Sequence, residues 1–154
     1  MLVRTLIRIR SSALGKRHAP LESTWRIIGW WEARRIPFNL IVGATGVVTS
    51  VAILLIAAVM ELFFGLPVEW PDPPIIMFFG VVFFAVAANA CYTMGWILEL
   101  LVKRVWPEES DRFGTLTLTL GLLFSVIVTL TPAVAMAGLA ALVLLARWLE
   151  RQWM

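Results

Sequence analysis

Three runs without a charged residue dominate the pattern of this chain: 22 residues from Asn39 to Met60, 24 from Ile75 to Leu98, and 34 from Phe113 to Ala146. At 1.5 Å per helical residue, each of the first two is long enough to cross a hydrocarbon core of about 30 Å. The third would extend about 51 Å as one helix, and Thr131-Pro132 falls in its middle, so it reads as a hairpin of two spans. The pattern predicts an all-α integral membrane protein: a four-transmembrane-helix bundle with spans near 38–62, 74–99, 113–130 and 132–148. A basic, Trp-rich arm over residues 1–37 precedes the membrane domain, 38–154.

Composition agrees with that class. Hydrophobic residues make up 60% of the chain and charged residues 15%, with a mean hydropathy of +0.88. A soluble domain of this length cannot bury so much apolar surface. Charge placement then gives sidedness. Residues 1–37 hold eight Lys/Arg against Glu22 and Glu32, the stretch 61–74 holds Glu61, Glu69 and Asp72 with no basic residue, and 99–112 holds Lys103, Arg104 and Arg112. With four crossings, all thirteen Lys/Arg, including Arg147 and Arg151, fall on one side, which predicts cytoplasmic termini in a cell (inner) membrane. The Trp residues lie near the predicted interfaces, where an indole is half wet.

Within the arm, Leu2, Leu6, Ile9 and Ala13 recur at helical spacing opposite Arg4 and Arg8, the pattern of an amphipathic helix on an anionic cytoplasmic leaflet. The same Arg- and Ser-rich run mimics a mitochondrial presequence, which makes the mitochondrial inner membrane the alternative location. Ser23 or Thr24 suits a helix start, and Pro37 should hinge the following segment against the first span. Trp30-Trp31-Glu32-x-Arg34-Arg35-x-x-Phe38-Asn39, followed by Gly43 and Gly46, resembles the opening of some uncharacterised small bacterial multi-pass membrane proteins. That likeness implies a membrane class and no activity. Trp30, Trp31, Arg34 and Arg35 are the candidate docking residues for a protein partner or an anionic lipid.

Candidate chemistry inside the spans is sparse. Asn89 lies near the centre of the second span with Tyr92 and Thr93 one turn on, and a primary amide in hydrocarbon needs a partner on another helix. Glu61 and Glu99 adjoin spans and are candidate half-buried carboxylates, with Lys103 an i,i+4 partner for Glu99. Gly43, Gly46, Ser50 and Ala57, then Thr117, Gly121, Ser125 and Thr129, and finally Ala133, Ala137 and Ala141 form small-residue stripes suited to close helix packing. One His and one Cys give no multi-His or multi-Cys ligand set, and no phosphate loop or nucleophile elbow is present. No cofactor, metal, nucleic acid or catalytic site is expected. Two function classes follow: a non-catalytic interaction or assembly subunit that anchors or regulates another membrane component, or a small homo-oligomeric channel, pore or carrier. The chain resembles small multidrug transporters and dual-topology fluoride channels in size, but it lacks a Glu midway along the first span, and its basic bias opposes dual topology.

Overall fold

The computed structural model describes residues 23–68 and 75–153; the amphipathic arm of residues 1–14 and the acidic stretch at 69–72 lie outside them. Among the described residues the chain forms three α-helices: α1 (Thr24–Phe64), α2 (Ile75–Val105) and α3 (Ser110–Trp153), with a 3-10 turn, Pro107–Glu109, between the last two. Each is long and apolar enough to cross a membrane. The four-helix expectation is therefore corrected to three helices, because α3 runs unbroken through Thr131-Pro132.

Local chemistry explains the unbroken helix. Proline removes one backbone bond, here the one that would end on the Val128 carbonyl. Hydroxyls around it bond the preceding turn: Thr129 Oγ1 donates to Ser125 O at 2.6 Å and Thr131 Oγ1 to Ile127 O at 3.0 Å. Thr49 of α1 donates to Thr129 O at 3.0 Å, beside the carbonyl the proline leaves without a donor. These bonds hold the turns on either side of the gap, and such side-chain and inter-helix support makes proline tolerable in an apolar helix. The surplus length is also absorbed at the start of α3, where Thr115, Leu118, Thr119 and Leu122 are buried against the other helices.

The hinge expected at Pro37 is absent too: α1 continues through it. The segment before Pro37 contributes Ile27, Trp30 and Trp31 to the core, and Ala33, whose carbonyl loses the proline bond, is exposed. α1 ends at a glycine that the turn requires. Gly65 has φ 61°, and Gly65 N donates to Glu61 O while Leu66 N donates to Met60 O, the two bonds of a Schellman end.

Residue pairing gives the topology. Trp31, Arg35 and Asn39 meet Glu99, Thr93 and Asn89 respectively, so α1 and α2 are antiparallel. Thr49 meets Thr129, and Arg147 Nη1 reaches Phe64 O at 3.4 Å, so α1 and α3 run parallel. In this up-down-up bundle the first residue of α1, Thr24, and the last of α3, Trp153, lie at opposite ends. The main core gathers Ile27, Trp31, Phe38, Tyr92, Leu118 and Leu122 at the end where α1 begins. Along the rest of the bundle, Val, Leu and Phe side chains face outward, among them Val47, Leu55, Phe79, Phe83 and Leu142.

Candidate functional site

Side-chain-to-side-chain hydrogen bonds between helices concentrate in the seam between α1 and α2. Glu99 is fully buried (0% exposed) and Trp31 is 1% exposed; the indole Nε1 donates to Glu99 Oε2 at 2.7 Å. Trp31 fits because Gly95 leaves room for its ring. A Cβ on Gly95 would lie 2.6 Å from Trp31 Cη2, closer than carbon atoms approach. One turn along α2, Tyr92 donates its hydroxyl to Trp31 O. The Tyr92 ring packs edge-on to Trp31 at 5.2 Å and tilted on Phe38 at 4.7 Å. The two rings thus pack on each other while each polar tip finds its own acceptor, the phenol at the Trp31 backbone carbonyl and the indole N–H at Glu99.

Deeper along the same seam, Arg35 Nη2 donates to Thr93 Oγ1 at 3.2 Å and forms a 2.7 Å ion pair with Glu32, with its guanidinium 5.3 Å from the Tyr92 ring centre. Asn39 and Asn89 then form a reciprocal amide pair. Asn39 Nδ2 donates to Asn89 Oδ1 at 3.1 Å, Asn89 Nδ2 donates to Asn39 Oδ1 at 2.9 Å, and Asn89 Nδ2 also reaches Ala85 O at 3.0 Å. α3 closes this end and leaves a cleft of about 80 Å³ lined by Trp31, Tyr92 and Gly95 on one side and Thr117, Gly121 and Ser125 on the other.

The structure therefore brings together Asn89, Tyr92, Thr93, Glu99, Trp31 and Arg35, and separates the others. Glu61, in the last turn of α1, is exposed, whereas Glu99 is buried completely. Trp30 and Trp31, expected as a docking surface, belong to the core. Arg34 stacks on Trp30 at 4.0 Å and donates to Trp30 O at 3.0 Å. Trp25, at 80% exposed, is the tryptophan of this segment that remains outside. Asn39 marks only the start of an apolar run, and the available signal is its four-residue spacing from Trp31 and Arg35 along one face of α1. Among the described residues, no group of three or more His, Cys, Asp or Glu side chains is placed to hold a metal ion. No protein-family model, curated protein or solved structure matches this chain.

Proposed function

We propose that the chain is a three-span inner-membrane protein acting as a non-catalytic interaction or assembly subunit, a rigid bundle that anchors or regulates another membrane component. The supporting observation is how its inter-helix polar groups are used. Asn39 with Asn89, Trp31 with Glu99, and Thr49 with the Thr129 carbonyl each join two helices, so polar chemistry fixes helix register while the outer surface stays apolar. Polar groups paired between helices in lipid act as glue, whereas a transport path needs them turned toward water.

The start of α1 is cytoplasmic in this proposal. Residues 1–37 hold eight Lys/Arg and residues 99–112 hold three, so eleven of the thirteen lie on that side, leaving Arg147 and Arg151 on the other. A second reading, the small homo-oligomeric channel or carrier, draws on the alignment of Glu99, Tyr92, Thr93 and Asn89 along one seam. Two experiments separate the readings. Mild-detergent purification of the tagged full chain should recover a different membrane protein in fixed stoichiometry, and purified chain in liposomes should conduct nothing above empty vesicles. Flux from the purified chain, with no co-purifying protein, would overturn the proposal in favour of transport.

A further inference from the structure

We infer that the α1–α2 seam, at the level of Arg35 and Trp96, binds the phosphate of an anionic phospholipid. This rests on the membrane reading above and names a ligand for the bundle. The observation is a pair of donors with nothing to donate to: Arg35 Nε and Trp96 Nε1 are both buried and have no hydrogen-bond acceptor. Buried N–H groups are ordinarily paired, and an orphan marks a missing water, ion or ligand.

Two such donors belong to one seam. The Arg35 guanidinium is held by Glu32 and Thr93 through Nη2, so its plane is fixed while its Nε edge is unspent. Trp96 follows Thr93 by three residues, which puts it on the same helical face one turn nearer the end of α2, packed against the core. Arg34 stands next to Arg35 on α1, and Lys103 and Arg104 occupy the last turn of α2, so four cations share this end with the carboxylates of Glu32, paired with Arg35, and Glu99, bonded to Trp31. An acceptor for an indole N–H and a guanidinium edge is best supplied by an anionic group with two accepting oxygens, and a phosphate diester shares its one negative charge over two such oxygens. A lipid, not free phosphate, is the source that fits. Immediately past Arg35, Ile36 and Leu40 are exposed at 70% and 67%, so an apolar flank begins where the donors end. A headgroup at the donors would lay its acyl chains along that flank.

The test uses the purified full-length chain, delipidated in detergent and titrated with phosphatidylglycerol or phosphatidylcholine under native mass spectrometry. Phosphatidylglycerol should be retained in preference to phosphatidylcholine. Trp96→Phe keeps the ring and removes only the N–H; Arg35→Lys keeps the charge and removes the Nε edge. Each should weaken phosphatidylglycerol retention about tenfold with helix content unchanged, as loss of a charge-assisted bond implies. Retention by Trp96→Phe equal to that of the parent chain would overturn the inference, as would equal retention of the two lipids. Displacement of phosphatidylglycerol by millimolar inorganic phosphate would overturn the lipid source. Carbonate extraction of membranes carrying the chain separates the two proposals: an extracted chain defeats the membrane reading itself, whereas an inserted chain with no lipid preference defeats only this inference.

Discussion

At the scale of single residues, the contact between Gly95 and Trp31 is the least forgiving in the bundle. Gly95→Ala must displace the indole that donates to Glu99, on the residue whose backbone carbonyl accepts from Tyr92. Overpacking of this kind costs about 1–3 kcal/mol, and a red-shifted tryptophan emission together with easier denaturation would report it. Glu99→Gln still offers a carbonyl to the indole, so it should be milder than Glu99→Leu, which orphans the Trp31 N–H at a cost of about 1–3 kcal/mol; comparing the two unfolding curves tests that order. For the amide pair, a double-mutant cycle with Asn39→Leu and Asn89→Leu should show a coupling of about 0.6–1.7 kcal/mol, the range of hydrogen bonds between helices in membranes. These positions differ in how far the chain announces them. A lone amide within an apolar run is conspicuous, so Asn89 was legible. The Trp31–Glu99 pair was not, because an indole and a carboxylate beside basic residues look alike whether they face headgroups or each other. Only the antiparallel register of α1 and α2 brings them together across 68 residues.

At the scale of elements, hydropathy located all three helices, and charge-free length alone misjudged the third. A run of 34 residues exceeds one crossing only if every residue must sit in hydrocarbon. The first turns of α3 instead pack against Trp31 and Tyr92, and that depends on contacts between helices, which no local pattern carries. The small-residue stripes were legible in the same partial way. Ala57, Ser125 and Ala133 are buried, whereas Gly43, Ser50, Gly121, Ala137 and Ala141 are exposed. Cys91 of α2 is exposed as well. The continuity of α3 has a direct readout. With three crossings, a periplasm-active reporter fused after Met154 should give strong signal, and a single cysteine at Thr131 should resist a membrane-impermeant thiol reagent. A silent reporter and a labelled cysteine would restore a hairpin turn at that position.

At the scale of the whole molecule, the helices hold together by two different means. α1 and α2 are pinned by polar pairs along one seam, while α3 joins mostly through apolar burial against α1, with Thr49 and Arg147 supplying its bonds to that helix. Uneven fastening predicts uneven loosening: under mild denaturant, amide exchange should appear first in the second half of α3 and last around Tyr92, and uniform exchange would show that the bundle opens as one unit. The antiparallel seam also has a consequence in time. Every residue of the Trp31–Glu99, Arg35–Thr93 and Asn39–Asn89 pairs is translated before α3 begins at Ser110. At about 5–20 residues per second, the ribosome needs a few seconds more to complete α3. The first two helices can therefore lock their register while the third is still being made, so the order of synthesis matches the order in which the contacts become available.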